Sequence, residues 1–282
     1  MRGTQSFSAL VLGAVTRDLE PGGASSPGGV VHYAGLAFAA LGAHTRVVTR
    51  CRVEDAHGLL APLCAAKLET RALASRETTT YANDYSGSED QHELLAASDP
   101  IGPDDLPLTW RRADAIHLGP LHRRDLLPET LAVLEGRVGI DLQGLVRQNS
   151  GTGTKLAPNA ELKDFLAHVS VAKAAEEEIA VLLEGMTLEE FRHEFGLAEL
   201  LVTRGARGAL LVTRSGVDEI AAVPAKRRFP TGAGDVFLAA YLFARVSGRE
   251  PRSAAQFAAR AGAAQIEHGH LPRGFALAEP TP

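Results

Sequence analysis

The chain has 282 residues, 45% apolar and 22% charged, and its 29 Lys and Arg against 34 Asp and Glu give a formal charge of −5. This is globular composition over a length that suits roughly two domains or one large α/β unit, which excludes disorder or fibrous repeats as a description of the whole. No basic field exists to hold a polyanion, and ten Phe, four Tyr and one Trp are few for a base-stacking platform, so neither nucleic acid nor an anionic membrane is an expected partner.

Residues 9–15 (ALVLGAV) are followed at once by Arg17 and Asp18 and read as a first buried strand rather than a secretory core. No apolar run approaches the ~18 residues of a spanning helix, and Cys51 and Cys64 are too few for a disulfide framework. The expected compartment is the cytoplasm. From there the pattern alternates: a helix over 32–41 stopped by Gly42, a strand over 45–50, a helix over 56–68. Residues 76–100 break the rhythm. The β-prone, half-polar stretch 78–85, a turn and a second strand predict a hairpin outside the main sheet, of the kind that closes over a site. The alternation resumes with a strand at 115–118, a helix at 124–134, a strand at 138–141, a helix at 162–167 and a strand at 169–172. A helix at 176–183 carries three acids in its first turn, where the helix dipole favours them. Strands at 199–203, 209–213 and 217–223 predict an antiparallel meander at one edge, and helices at 232–246 and 253–266 follow. Residues 279–282 read as frayed.

The segment Pro230-Thr231-Gly232-Ala233-Gly234-Asp235 carries the most chemistry. Thr231 suits an N-cap, and the two glycines let a ligand approach the backbone. The helix that follows is apolar nearly all round, so it is a core helix. Its bare first-turn amides make an anion site. Asp235 in that turn is placed to take a proton from a nucleophile attacking a phosphoryl group held there. Competing motifs fail. Residues 151–155 (GTGTK) lack P-loop spacing and read as a surface loop, the histidines have no metal-ligand spacing, and no G-x-G-x-x-G follows the first strand.

Residues 229–237 (FPTGAGDVF) resemble the C-terminal signature of the PfkB/ribokinase family of sugar and nucleoside kinases, and the resemblance runs over nearly the whole chain. It implies a three-layer α/β/α ribokinase-like fold with a mainly parallel sheet, in one kinase domain of residues 1–282 whose β-lid comprises residues 17–30 and 76–100. It implies ATP and Mg²⁺ as cofactors, and a sugar, cyclitol or nucleoside as acceptor. Asp235 would be the base, with Gly232, Ala233 and Gly234 as the anion hole beside Thr231. Asp18, Gly28 and Gly29 would grip the acceptor. Lys173 to Glu178 resembles the family's Asn-x-x-Glu motif, so Glu178 would order Mg²⁺ and phosphate through water and Lys173 would be among the cofactor-binding residues. Thr203, Arg204 and Gly205 would form the nucleotide-side turn, and residues 258–267 would flank the adenine; separately, the exposed edge of the lid hairpin is open to pairing in a homodimer.

Three positions depart from the family pattern. Phe229 replaces an Asp beside the anion hole, so K⁺ activation through that site is not expected. Ala175 replaces the Asn of Asn-x-x-Glu, and Tyr33 replaces an Asn on the sugar side. Tyr33 and the stretch 141–147 (DLQGLVR) resemble the branch that includes myo-inositol kinases, which would bring Tyr33 and Arg147 to the acceptor. The same departures would suit a non-catalytic pseudokinase that binds a sugar or nucleotide as a sensor or partner subunit.

Overall fold

The computed structural model describes residues 7–19, 23–84, 91–150 and 153–275. In chain order, β1 (Ser8–Gly13), β2 (Thr16–Leu19) and β3 (Ser25–Gly28) precede α1 (Val30–Ala40) and β4 (His44–Cys51). Next come α2 (Val53–Ala65), β5 (Glu69–Ala74), β6 (Thr80–Asp84), β7 (Gln91–Ala96), β8 (Arg112–Gly119) and β9 (Glu135–Asp141). The hairpin that follows α3 (Gln143–Val146) is β10 (Arg147–Ser150) and β11 (Gly153–Leu156). Then come α4 (Leu162–Leu166), β12 (Val171–Ala175), α5 (Glu176–Leu183), α6 (Leu188–Glu194), β13 (Glu199–Thr203), β14 (Ala209–Thr213) and β15 (Gly216–Ile220). The last two helices described are α7 (Ala233–Val246) and α8 (Pro251–His268).

The main sheet has the order β15-β14-β13-β12-β9-β8-β1-β4-β5. Its strands from β13 to β5 pair in parallel, and the predicted meander of β13, β14 and β15 closes one edge antiparallel. Both faces are covered, which explains the nearly unbroken apolar runs of β1 and β13. One apolar cluster joins α1, α2, α7 and α8 to one face, and a second joins the α3–α6 side to the other. The result is the expected three-layer α/β/α arrangement. A separate four-stranded sheet, β3-β2-β6-β7, contains the predicted hairpin.

Two expectations fail. The predicted helix at 124–134 is a 3-10 segment, Pro128–Val133, because Leu126 is drawn into a bridge with Ile101 and Pro128 cannot continue a helical ladder. The predicted surface loop at 151–155 falls partly in the β10–β11 hairpin, where Arg147 pairs with Leu156. Residues 279–282 lie outside the described residues.

The chain order reverses between β1 and β8: β1 leads to β4 and β5 on one side, β8 to β9 and β12 on the other. Such a switch point opens a crevice at the carboxyl ends of the strands. The segments leaving β1, β8, β9, β12 and β13 all converge on it.

Candidate active site

A cavity of about 280 Å³ occupies this crevice. One wall is the first turn of α7. Gly232 is its N-cap at φ 77°, in the left-handed region, and no side chain caps the helix, so the expected Thr231 cap is not formed. Glycine is required there: a Cβ would fall among the ring atoms of Tyr33. Ala233 N–H turns back on Pro230 O (3.3 Å) and Val236 N–H begins the ladder on Gly232 O (2.9 Å). The amides of Gly234 and Asp235 have no carbonyl partner among the described residues, so these, rather than the amide of Ala233, are the ones left to meet an anion. Thr231 O is taken by Gln265 Nε2 (3.0 Å), and Phe229 N–H donates to Ile266 O (2.8 Å). The last turns of α8 thus fix the loop. None of residues 258–267, expected beside an adenine, lines the cavity.

Beneath the turn lies a buried ion pair. Lys173, 4% exposed on β12, donates from Nζ to Asp141 Oδ2 on β9 (2.8 Å). That ammonium stands 2.8 Å from where a Cβ on Gly234 would be, so it faces the amide turn at close range. Asp141 and Glu178 hold Lys173 charged despite its burial. Asp235 lines the cavity with its side chain 17% exposed. Burial, and secondarily Asp141, push its carboxyl up to about 7, while Lys173 and Arg147 oppose the shift.

The opposite wall is polar. Asp18 is buried on β2 and accepts from Thr16 Oγ1 (2.7 Å). Gly28, its neighbour on β3, leaves room for that carboxylate, although it does not itself line the cavity. Gly29 and Tyr33 do. Arg147, at the start of β10, also lines the cavity, and the Gln143 carboxamide, with its oxygen toward the guanidinium, accepts at 2.6 and 2.5 Å. Tyr81 on β6 donates to Leu121 O (3.0 Å), and His92 Nδ1 meets Asn83 Oδ1 across the β6–β7 pair (2.7 Å). Tyr81, Asn83, His92, Gln143 and Asp141 were not singled out as site residues from the sequence. The polar alternation of residues 81–85 was the available signal, but strand polarity cannot say which face meets a cavity.

Glu178 is buried in the first turn of α5, and its Oε2 accepts from Ala175 N (2.7 Å). Burial raises its carboxyl, opposed by Lys173. Thr203 reaches the cavity at the end of β13, whereas Arg204 and Gly205 do not. Their turn closes on itself through Arg204 N–H to Gly208 O (2.8 Å), and the Arg204 guanidinium points to Glu219. A phosphate group fits the free amides and Lys173. Among the described residues no group of three or more His, Cys, Asp or Glu could hold a metal ion. A magnesium ion would therefore take most of its oxygens from phosphate and water, with Glu178 acting through water. No helix among the described residues is long and apolar enough to cross a membrane.

Residues 146–271 match the model of the pfkB family carbohydrate kinases. The chain is 32% identical over 186 residues to an inositol 3-kinase of Zea mays, covering 63% of this chain and 46% of that protein. It is 30% identical over 191 residues to an inositol 3-kinase of Arabidopsis thaliana, covering 64% and 50%. The chain thus spans about half the length of the curated relatives it matches. A solved pyrophosphate-dependent kinase in the ribokinase family, complexed with a pyrophosphate analogue and myo-inositol, shares the fold at a TM-score of 0.83 and 23% identity, over 95% of this chain and 98% of that one. The family match covers the segment that builds the α7 turn, and the likeness in fold extends through the rest: this chain is similar to the pfkB carbohydrate kinases over that segment and shares the ribokinase-like fold.

Proposed function

We propose that the protein is a phosphotransferase that moves a phosphoryl group onto a hydroxyl of a cyclitol or similar ring polyol, with Asp235 as general base. The observation that carries this reading is the sharing of one cavity by the Asp235 carboxyl, the free amides of α7 and a polar wall headed by Asp18. The acceptor hydroxyl loses its proton to Asp235 as its oxygen bonds to phosphorus and the bond to the donor's leaving oxygen breaks. The α7 amides and Lys173 hold the transferring group and offset its charge. Asp18, Asn83 and Arg147 orient the ring by hydrogen bonds. The small sheet of β2, β3, β6 and β7 acts as the lid, excluding water that would otherwise accept the phosphoryl group. A ring polyol suits the wall because Asp18, Asn83, His92, Gln143 and Arg147 offer it donors and acceptors while Tyr33 and Tyr81 offer it flat faces, and inositol kinases are among the relatives. The reading assigns the protein to the cytoplasm.

The family implies ATP with Mg²⁺ as donor, and the metal would screen phosphate charge. The pyrophosphate dependence of a kinase sharing this fold makes inorganic pyrophosphate the second donor to offer. The experiment is a product assay with ATP or pyrophosphate, each with Mg²⁺, over myo-inositol, hexoses and nucleosides. Acceptor-dependent phosphorylation of a ring polyol is expected. Thermal stabilisation by a polyol or nucleotide without any phosphorylated product would overturn the reading in favour of a sensor.

A further inference from the structure

His117 lies in the interior of β8, fully buried, with its edge to Phe38 at a centroid distance of 6.5 Å. Neither Nδ1 nor Nε2 has a hydrogen-bond partner among the described residues. Strand alternation explains where the ring goes. Ile116 and Leu118 join the apolar cluster on the α3–α6 side, so Ala115 and His117 face α1 and α7. An apolar side chain would fill that space without orphaning two ring nitrogens, an arrangement that costs about 1–3 kcal/mol for each unmet group. A buried polar ring without partners in a folded core calls for a role. One acceptor stands near it: Asp235 Oδ1 is 3.8 Å from His117 Nε2. That is too long for a hydrogen bond, yet a shift of about 1 Å closes it, and catalytic hydrogen bonds commonly tighten only when substrates are bound.

We infer that His117 is a positioning residue for Asp235: with acceptor and donor bound, its Nε2–H donates to Oδ1 and leaves Oδ2 to take the hydroxyl proton. This rests on the reading of Asp235 as base. The charged groups that face the pair are Asp141 from β9, Lys173 from β12 and Arg147 from β10, while α1 presents Phe38. Burial holds the imidazole neutral, its pKa lowered to about 4, so it donates from one nitrogen only. A donor at Oδ1 favours the carboxylate, opposing the burial that would otherwise keep Asp235 protonated near neutral pH. In the closed complex the base is then ionised when the hydroxyl arrives.

The test compares His117→Phe, which keeps the ring and removes the donor, with His117→Gln, which keeps an N–H near Nε2, each in the wild-type and Asp235→Asn backgrounds. His117→Phe should lower kcat about tenfold, the worth of one charge-assisted hydrogen bond, and move the acid limb of the kcat profile to higher pH, with little change in acceptor KM. His117→Gln should recover most of both, and His117→Phe should add nothing to Asp235→Asn. An unshifted acid limb in His117→Phe, or equal loss in His117→Gln, overturns the proposal. Full turnover in Asp235→Asn alone would instead overturn the base assignment. Nitrogen NMR of histidine-labelled wild type reads the same contact without a variant: the Nε2–H tautomer, with a signal that moves on binding acceptor and donor analogue, is expected, and an Nδ1–H tautomer or an unmoved signal contradicts it.

Discussion

The two walls of the cavity are built by opposite means. The phosphoryl wall is one unbroken stretch, residues 230–235, and works through main-chain amides, a left-handed glycine and one buried ammonium behind them. The acceptor wall is assembled from β2, α1, β6, β7 and β10, and works through side chains. Amides at a helix start can hold any phosphoryl group, so under the proposed function the first wall would set whether transfer occurs. Side chains on a small sheet can match one arrangement of hydroxyls, so under the same proposal the second would set which acceptor is used. Substitutions on the first wall should therefore lower turnover with every acceptor, and those on the second should raise KM for the preferred one.

The largest effect on folding should come from Lys173→Met. It leaves Asp141 buried without its partner, a loss of about 3–5 kcal/mol in urea unfolding, and adding Asp141→Asn should restore much of it. No loss would mean that the Lys173–Asp141 pair adds nothing to stability. Gly232→Ala comes next. Its left-handed φ and the adjacent Tyr33 ring predict strain of about 1–3 kcal/mol and a lower kcat with all acceptors tried. A selective effect on one acceptor would blur the division between the walls.

On the acceptor wall, Arg147→Ala and Asn83→Ala should each raise acceptor KM about three- to tenfold, the worth of one hydrogen bond, while leaving the donor's KM in place. Phe229→Ser is the smallest change. The side chain is 51% exposed, so stability should stay within about 0.5 kcal/mol in thermal melts. Turnover in the unaltered protein should not depend on K⁺; a clear K⁺-dependent rise would show that the cation site survives without the missing Asp.

The α7 turn was legible in the sequence because it is contiguous: Pro230 to Asp235 were singled out as one segment at the head of an apolar helix, and all six line the cavity. The main sheet was legible for the same reason, as alternating apolar runs. The opposite wall was legible only in part: Asp18, Gly29, Tyr33 and Arg147 line the cavity as expected, but their neighbours there were missed. Asn83 and His92 meet only through the β6–β7 register, and Asp141 matters only because β9 lies beside β12. His117 looked like one more apolar-strand residue until α7 was laid across it. Arg204 and Gly205 went the other way: they adjoin Thr203 in sequence, but a tight turn carries them off the cavity.

Asp235 also links function to stability. Its folded pKa of about 7 lies above the ordinary carboxylate value, so the folded state holds the proton more tightly than the unfolded chain does. The stability this adds is complete below pH ~4 and is lost as pH rises to about 7, while the carboxylate that the proposed base role requires appears over the upper part of that range. The most direct test is Asp235→Asn, measured for phosphorylated product and for melting temperature at pH 5 and pH 8. The account predicts kcat lower by about 10²–10⁴, with the folded protein retained and more stable than the unaltered chain at pH 8. Turnover that survives the substitution would contradict it.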